Sequence, residues 1–271
     1  LGVYTPAKIK ITGAPEKSAN AVRVVSFNLR CNNDIYGFVK NRGKFVSAAL
    51  ESYAPDSFGV QEATKTWLEI LDESLGEKYA RVGEPRDNAK NTEYSAVYYR
   101  TDKYELLDEG TIWLSKTPEK FGSKSYLASM PRICTWATLK NRETGAVYTH
   151  VNTHLDFLVE YTRSKQADVL LSKINQLKER GPVVCTGDFN ADEKGETYKK
   201  MAAALDDCRL TAKETESGKT FHNYGRGDLF HSTAIDFIFA TKGTPVERYK
   251  IIKDTVDGMY LSDHYGIMAD I

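Results

Sequence analysis

Short runs of β-branched and aromatic residues recur along the chain and have the length and composition of buried strands. They lie at residues 22–28, 57–61, 94–99, 132–139, 146–154, 182–188, 235–240 and 266–271. Helical patterns alternate with strands in the first and third quarters, whereas residues 94–154 consist almost entirely of predicted strands and turns. We therefore expect an α/β protein whose sheets are mixed rather than purely parallel.

The helical segments carry apolar residues at spacings of three and four. In the clearest of them, residues 160–179, the apolar residues fall on one stripe of a helix. These residues are Ala167, Leu170, Leu171, Ile174 and Leu177. Gly181-Pro182 follows, a pair typical of a helix end. Shorter helices are predicted at 38–52, 64–75 and 196–205.

The composition is that of a globular chain without net charge. Of the 271 residues 41% are hydrophobic, and lysine plus arginine equals aspartate plus glutamate at 37 each. A long polyanion would therefore need a local basic groove. No apolar run approaches the roughly 18 residues of a membrane span. The four cysteines show neither C-x-x-C pairing nor zinc spacing, which favours free, mostly buried thiols.

No repeat, low-complexity tract or linker marks a domain boundary in the sequence. We therefore predict a single domain at residues 21–271. Residues 1–20 contain mixed polar sequence with two prolines, and we interpret them as a processed or flexible segment. The cellular location stays open between the cytoplasm and export with removal of a signal peptide.

Polar residues follow the predicted strands at positions where a core would exclude them. Asn28, Glu62 and His154 each follow a strand-like run, as does Gly187-Asp188-Phe189-Asn190, and Asp263-His264 precedes the last strand. Strand ends of this kind open into ligand crevices in α/β proteins. Hard oxygen ligands, imidazoles and amides together favour metal-assisted hydrolysis of a phosphoester.

Asp236 differs because it lies inside an apolar strand-like run. A carboxylate buried there is costly unless it is paired, and a histidine is its natural partner. Strand alternation places Asn152 on the same face as His154, so Asn152 is a candidate for the same site. His150 shares that face further down the strand, and we expect it to be a hydrogen-bonded structural residue.

Short motifs keep a fixed order along most of the chain. They are Ser26-Phe27-Asn28-Leu29-Arg30, Gln61-Glu62, Asn152-Thr153-His154-Leu155, Gly187-Asp188-Phe189-Asn190, Ile235-Asp236-Phe237-Ile238 and Ser262-Asp263-His264. This order resembles that of the endonuclease/exonuclease/phosphatase superfamily, in particular its small bacterial members and the deadenylase-related branch. The resemblance implies a four-layer α/β/β/α sandwich of two packed mixed β-sheets, with the site at one edge.

The resemblance also implies a metal and a water-activating group. Glu62 would bind Mg²⁺, or Mn²⁺ in its place, and Asn28 and Asp263 would complete or support that site. Asp188 would orient or deprotonate the attacking water.

Further residues would act on the phosphate by the same resemblance. Asn190 and His154 would stabilise charge in the transition state. His264, oriented by Asp236, would act either as general base or as a phosphate-binding imidazolium.

Three residues are candidates for substrate binding. Asn152 is a candidate because it shares a strand face with His154. Arg30 would offer phosphate a planar fork if it turns inward. Arg132 follows a proline and is either a solvated charge at a strand end or a group that reaches the pocket.

The first expectation for function is a phosphodiesterase or nuclease that uses metal-activated water on a nucleic acid or nucleotide. The alternative is a phosphatase or phosphodiesterase of small nucleotides, sugar or inositol phosphates or phospholipid head groups. A non-catalytic binding module on the same fold is a hypothesis of another class. No loop in the sequence shows the exposed apolar cluster that lipid-cleaving members carry, and we expect a monomer.

Overall fold

The computed structural model describes residues 9–31 and 39–271, which form a mixed α/β structure. The longer strands are β1 (Arg23–Asn28), β2 (Ser57–Gln61), β3 (Tyr79–Val82), β4 (Val97–Arg100), β5 (Tyr104–Trp113), β6 (Ile133–Asn141), β7 (Val147–His154), β8 (Val183–Asp188), β9 (Asp236–Ala240), β10 (Arg248–Ile252) and β11 (Gly266–Asp270). Two-residue strands are Ile9–Lys10, Ala63–Thr64, Glu93–Tyr94, Asp206–Asp207, Glu214–Thr215, Thr255–Val256 and Met259–Tyr260. The helices are α1 (Val39–Tyr53), α2 (Lys65–Leu75), α3 (Glu160–Leu177), α4 (Glu196–Ala204) and α5 (Cys208–Thr211), with 3₁₀ turns at Lys178–Arg180 and Asn223–Gly225.

Two large sheets carry the fold. The first has seven strands in the order Glu214–Thr215, β10, β11, β1, β2, β4, β3, and the second has six in the order Asp206–Asp207, β9, β8, β7, β6, β5. Each sheet has a parallel pair near its centre, β1 with β2 and β7 with β8, flanked by antiparallel neighbours. Both sheets are therefore mixed, as the sequence predicted.

The inner faces of the sheets pack against each other. The core between them draws apolar residues from both sheets. They include Val24, Tyr249 and Ile267 from the first sheet and Leu139, Val184 and Ile238 from the second. Such residues alternate with outward-facing ones along each strand, so each sheet also has an apolar outer face to cover.

Helices cover these outer faces. α1 and α2 pack on the first sheet, where Trp67 and Leu50 meet Phe58 in one cluster. α3 and α4 pack on the second sheet, where Ala167 and Met201 share a cluster with strand residues of β7, β8 and β9. This is the expected four-layer α/β/β/α sandwich. None of the helices within the described ranges is long and apolar enough to cross a membrane.

Most predicted elements are confirmed to within two residues. The predicted strand at 94–99 is broken, because Glu93–Tyr94 turns away to pair with Ala63–Thr64 while β4 joins the first sheet. β3, β5 and β10 were missed. β3 and β5 are edge strands, and β5 alternates buried and exposed positions, so neither gives a continuous apolar run. Residue 38 of the predicted first helix lies outside the described residues.

The described part of the N-terminal segment lies against the domain. Ile9–Lys10 pairs antiparallel with Thr255–Val256. The backbone N–H and the hydroxyl of Thr12 both donate to Asp254 Oδ1, at 3.0 and 2.9 Å. Residues 9–12 are therefore held by hydrogen bonds. Residues 1–8 of the predicted processed segment lie outside the described residues.

Cys134, Cys185 and Cys208 are free thiols, as the sequence predicted. Cys31 is half-buried, and Cys134, Cys185 and Cys208 are buried in the core. Burial raises the pKa of Cys134 to about 12, which leaves this thiol protonated and unreactive.

Candidate active site

The sheet registers bring the predicted polar residues to one edge of the sandwich. Asn28 lies opposite Gln61 where β1 pairs with β2. His154 lies opposite Asp188 where β7 pairs with β8, and Asp188 lies opposite Asp236 in β9. Because both central pairs are parallel, their carboxyl ends share this edge. Glu62 directly follows β2, and Asn190 lies two residues beyond the end of β8.

Asp188 lies at the centre of this group. Its Oδ2 accepts a hydrogen bond from Asn28 Nδ2 at 2.9 Å. The same oxygen lies 3.5 Å from His154 Nε2 and 3.7 Å from His264 Nε2. Its Oδ1 accepts from the backbone N–H of Asn190 at 2.9 Å. The carboxyl group is thus fixed between an amide and two imidazoles.

His264 and Asp236 form a buried pair beside Asp188. His264 Nδ1 donates to Asp236 Oδ2 at 2.9 Å. Burial lowers the pKa of His264, but the charges of Asp236 and Asp188 outweigh burial and raise the pKa to about 10. Burial, and then the charge of Asp236, raise the pKa of Asp188 to about 7. The site therefore holds an imidazolium beside a carboxyl group that exchanges a proton near neutral pH.

His154 has the opposite charge preference. Burial, followed by the positive charges of Arg132 and Arg86, lowers its pKa well below the ordinary value, so the ring is neutral. The amide of Asn190 donates to His154 Nε2 and to the carbonyl of Leu155, both at 3.0 Å. Both amide hydrogens of Asn190 are therefore used inside the protein, where they hold His154 in place.

Three residues of the site region have left-handed backbone conformations. The φ angles are +56° for Arg30, +55° for Glu62 and +48° for Asn190. A residue with a side chain pays roughly 1–3 kcal/mol for such a conformation, and this strain concentrates at functional sites. Each tight turn directly follows a strand and aims the side chains of that strand end into the site.

Glu62 and Asp263 form an acidic cluster next to Asp188. Glu62 Oε1 accepts from Asn28 Nδ2 at 3.2 Å and Oε2 accepts from the backbone N–H of Cys31 at 3.0 Å. Arg30 lies between the two acids, with Nη1 at 4.0 Å from Glu62 Oε2 and Nε at 3.6 Å from Asp263 Oδ2. Burial raises the pKa of Asp263, and the charge of Glu62 adds to that rise. The half-buried carboxylate of Glu62 and the buried carboxylate of Asp263 together fit a hard divalent cation such as Mg²⁺ or Mn²⁺.

A second group of possible ligands lies nearby. Asp188, Asp236 and His264 each place one ligand atom within 4.8 Å of the others. However, His264 Nδ1 and Asp236 Oδ2 are already joined by a hydrogen bond, and a cation there would have to break it. The acidic cluster of Glu62 and Asp263 is therefore the better candidate for the metal, and Asn28 supports it by donating to Glu62.

Asn152 lies behind the site, which corrects the expectation that it binds substrate. Its Nδ2 donates to the carbonyls of Val60 and Ala96 at 2.9 and 3.0 Å, and its Oδ1 accepts from Gln61 Nε2 at 2.7 Å. The face that Asn152 shares with His154 is the inner face of the second sheet. Asn152 lies two residues before the end of β7, where the first sheet already covers this face.

Thr220 and Phe221 position the Asp236–His264 pair, a role that was not predicted for them. Thr220 Oγ1 accepts the backbone N–H groups of Ile235 and Asp236, both at 3.1 Å. The ring of Phe221 lies 4.9 Å from the ring of His264. These contacts depend on a loop that returns to the site after α5, which a local pattern does not reveal.

Arg86 and Glu93 were also missed. They line a small pocket together with Arg132, His154 and Glu62. Arg132 is buried there, so the structure supports the interpretation in which this arginine reaches the pocket. Both missed residues lie in polar sequence between β3 and β4, where charged residues are ordinarily solvated.

The expectation of no exposed apolar loop was wrong. Leu229 and Phe230 are 90% and 88% exposed. Ser232, two residues further on, donates to Asp192 through its backbone N–H at 2.9 Å, and Asp192 follows Asn190 closely in the chain. Phe157 and Leu158, just beyond His154, are also exposed. Composition alone did not reveal that these side chains point outward.

Residues 25–264 match the family model described as the Endonuclease/Exonuclease/phosphatase family. The chain belongs to this family. The resemblance seen in the sequence is thereby confirmed.

Solved structures of bacterial members of the family are similar over nearly the whole chain. An endonuclease/exonuclease/phosphatase from Bacteroides vulgatus is 32% identical, with a TM-score of 0.86 over 93% of this chain and 98% of that one. The mannosyl-6-phosphatase of Bacteroides thetaiotaomicron is 29% identical, with a TM-score of 0.82 over 92% of this chain and 98% of that one.

Among curated proteins, the chain is similar to Nocturnin from Xenopus laevis and to the protein angel of Drosophila melanogaster. It is 24% identical to Nocturnin in an alignment of 247 residues that covers 80% of this chain and 61% of Nocturnin. It is 27% identical to angel in an alignment of 143 residues that covers 51% of this chain and 39% of angel. The chain thus spans less than two thirds of either relative.

Proposed function

We propose that this chain is a divalent-metal-dependent hydrolase that uses Asp188 to activate water against a phosphoester. Members of its family hydrolyse phosphoester bonds. The observation that carries the proposal is the position of Asp188, whose Oδ2 lies within 3.7 Å of Asn28 Nδ2 and of two imidazole nitrogens. A binding module would not need a buried carboxyl group whose pKa is raised to about 7.

The two histidines support different roles. His264, with its pKa raised to about 10, carries its proton at neutral pH and suits a donor to a phosphoryl oxygen. Of the two roles that the sequence left open, this favours the phosphate-binding imidazolium and leaves the base to Asp188. His154 is neutral and its Nε2 accepts from Asn190, which supports a positioning role for Asn190. We assign His154 a contact to the phosphate only because its Nε2 lies 3.5 Å from Asp188 Oδ2.

Glu62 and Asp263 would hold the metal, supported by Asn28. A divalent cation at this position would neutralise charge on the phosphoryl group and lower the pKa of the attacking water. The acids are already close enough for the charge of Glu62 to raise the pKa of Asp263, so the site gains from a bound cation. Arg30, which lies between them, would then be released toward the phosphate.

Two substrate classes are consistent with this site. The first expectation, a phosphodiesterase or nuclease, involves a singly charged scissile group. The alternative, a phosphatase of small phosphorylated compounds, is supported by the 29% identity to a mannosyl-6-phosphatase over nearly the whole chain. The zero formal net charge favours a small substrate over a long polyanion in both cases.

The test is a panel of oligonucleotides, nucleotides, sugar phosphates, phospholipids and aryl phosphodiesters, assayed with Mg²⁺, with Mn²⁺ and with a chelator. We expect turnover only with metal. Asp188→Asn and His264→Ala should each reduce turnover by at least ~10²-fold while circular dichroism shows an intact fold. Asp168→Asn, on the exposed face of α3, is the control. Wild-type rates in both site variants would show that the assigned site is wrong.

A further inference from the structure

Two arginine side chains share a small pocket beside the acidic cluster. Arg86 and Arg132 line it together with Glu62 and His154, so the pocket adjoins the proposed metal and phosphate ligands. Arg132 is only 4% exposed. A guanidinium cannot lose its proton in a protein, so a buried arginine brings a permanent positive charge into the pocket.

One donor of the buried Arg132 guanidinium lacks an acceptor. Its Nε is buried and has no hydrogen-bond partner in the described ranges, 9–31 and 39–271, and the same holds for Arg86 Nε. Burial, and then the charge of Arg86, lower the pKa of Arg132, so the two cations disfavour each other. Buried donors without partners are rare in native proteins and call for an explanation such as a ligand.

Two arginines and two glutamates line the pocket, but they are not evenly paired. Arg86 Nη1 donates to Glu93 Oε2 at 2.7 Å, and Arg86 Nε lies 3.7 Å from Asp87 Oδ2, so Arg86 has carboxylate partners. Arg132 forms no ion pair with a carboxylate of the described residues, although the charges of Glu93, Asp156 and Asp188 act on it from further away and raise its pKa. Glu62, the other acid of the pocket, is the proposed metal ligand, so Arg132 is the arginine without a close carboxylate next to the place where we expect the phosphate.

Backbone contacts hold both arginines at fixed positions. The carbonyl of Arg132, just before β6, accepts from the N–H of Leu114 at 2.8 Å. Arg86 donates its N–H to the carbonyl of Glu93 at 3.0 Å and accepts from the indole of Trp113 at 2.7 Å. Planar guanidinium groups that extend from such a fixed backbone can bind the oxygens of a phosphate group in a bidentate manner.

We propose that Arg86 and Arg132 form a subsite for a terminal, doubly charged phosphate group of the substrate. The inference rests on the proposed function, because the pocket shares Glu62 and His154 with that site. A terminal phosphate carries one more negative charge than a diester, so it gains more from Arg132, the arginine without a close carboxylate. It is either the group that is hydrolysed, as in a phosphomonoester, or a second phosphate beside the scissile bond.

Matched substrate pairs test the subsite and distinguish these two sources. One pair is 4-nitrophenyl phosphate and its methyl diester, in which the terminal phosphate itself reacts. The other is a dinucleotide with and without a 5′-phosphate, in which the terminal phosphate does not react. In one of the two pairs, we expect R132Q to lower kcat/KM with Mg²⁺ by at least ~10²-fold for the substrate that has the terminal phosphate. For the substrate of that pair without the terminal phosphate, kcat/KM should fall by less than ~3-fold.

The ratio of wild-type to variant rates removes the difference in intrinsic reactivity between monoesters and diesters. R180Q, an exposed arginine at the opposite end of β8, should leave both members unchanged. Equal losses for both members of each pair in R132Q would overturn the proposal. R132K keeps the charge but loses the planar fork, so it should give an intermediate preference and serves if R132Q does not fold.

Binding of inorganic phosphate gives a readout that does not depend on turnover. In the presence of a chelator, calorimetry should show phosphate binding to the wild-type protein and at least ~10-fold weaker binding to R132Q. Without phosphate, R132M should unfold at a higher temperature than the wild type, because it removes an unpaired buried charge. Equal phosphate affinity in wild type and R132Q would overturn the subsite. Absence of all hydrolysis in the wild type, with phosphate binding intact, would instead contradict the proposed function.

Discussion

His154 and His264 flank one carboxyl group, Asp188, yet their surroundings give them different charges. His264 has a carboxylate partner in Asp236, whereas His154 accepts from an amide and lies near arginines. Pairs of titratable groups whose environments separate their pKa values identify the acid and base assignments of a site. At the scale of residues, the hydrogen-bond partner of each histidine therefore determines whether its ring is charged.

Replacing Asp236 with Asn should impair catalysis through His264. An amide stabilises the imidazolium less than a carboxylate does, so the pKa of His264 would fall, because burial lowers it and only the other acids of the site would still raise it. We expect D236N to reduce kcat by ~10² to 10³-fold, with a smaller effect on KM. Steady-state kinetics with Mg²⁺ measure this, and near-ultraviolet circular dichroism reports whether the core remains packed.

D228N is the matched control for this change. Asp228 and His231 form a similar Asp–His pair on a surface loop, with Oδ2 and Nδ1 3.0 Å apart. Loss of the Asp228–His231 pair in D228N should change kcat by less than ~3-fold. If D236N and D228N had the same effect, the pairing of Asp236 with His264 would have no special role in catalysis.

The E62Q variant should lose metal-dependent stabilisation. A ligand that binds only the folded state stabilises it by about 2.7 kcal/mol at 100 times its Kd. We therefore expect Mg²⁺ or Mn²⁺ to raise the Tm of the wild type above its value in chelator, and to leave the Tm of E62Q unchanged. Differential scanning calorimetry measures both shifts.

Glu69→Gln is the control for E62Q, because Glu69 is exposed on α2. The E69Q variant should keep the full shift in Tm with metal. An undiminished shift in E62Q would place the cation elsewhere, with the group of Asp188, Asp236 and His264 as the next candidate.

The strand ends were the most informative part of the sequence for the site. Four residues were predicted to meet because each directly ends or follows a predicted buried strand: Asn28, Glu62, His154 and Asp188. The parallel strand pairs then determine which of these residues lie next to each other. Arg86 was not predicted, because its position depends on how a polar loop folds over the edge of the second sheet. Local periodicity carries no information about that path.

His150 connects elements of the two sheets. Its ring lies between Ser57 Oγ of β2, 2.7 Å from Nδ1, and Thr186 Oγ1 of β8, 2.8 Å from Nε2. The prediction of a hydrogen-bonded structural histidine is thereby confirmed. Burial lowers the pKa of His150 to about 3, so the ring stays neutral in the folded protein.

This depressed pKa should make stability fall as the pH falls. The unfolded chain binds a proton at His150 near pH 6.5, and the folded protein does so only near pH 3. The contribution is therefore fully present above pH 6.5 and is lost progressively as the pH drops toward 3. Between pH 7 and pH 5 it amounts to about 2 kcal/mol of the free energy of unfolding. H150Q cannot protonate and should lose this part of the pH dependence in urea titrations.

His231→Gln serves as the control for H150Q, because His231 lies on a surface loop. Carboxyl groups also contribute to stability in this pH range, but they are the same in the wild type and in both variants. A pH dependence in H150Q equal to that of the wild type would mean that His150 is protonated in the folded protein.

At the scale of the molecule, the order of elements and motifs predicted the sandwich, although β3, β5 and β10 were missed. The missed strands add edges or near-edges to sheets whose central strands were already identified. Fold class therefore depended on the buried centre of each sheet, where long apolar runs are required on both faces. The exposed Leu229 and Phe230 were not predicted, because exposure is a property of the assembled molecule.

The single domain predicted for residues 21–271 should unfold in one cooperative step. The core between the sheets takes residues from both, so neither half can unfold without exposing the inner face of the other. Trp67 belongs to the core under α1 and α2, and Trp136 to the core under α3 and α4. The W113F/W136F variant keeps only Trp67 as a fluorescent probe, and the W67F/W113F variant keeps only Trp136. In each variant, measured in chelator, the urea midpoint from fluorescence should equal the midpoint from far-ultraviolet circular dichroism. Each variant is its own control, and separated midpoints would divide the chain into two folding units.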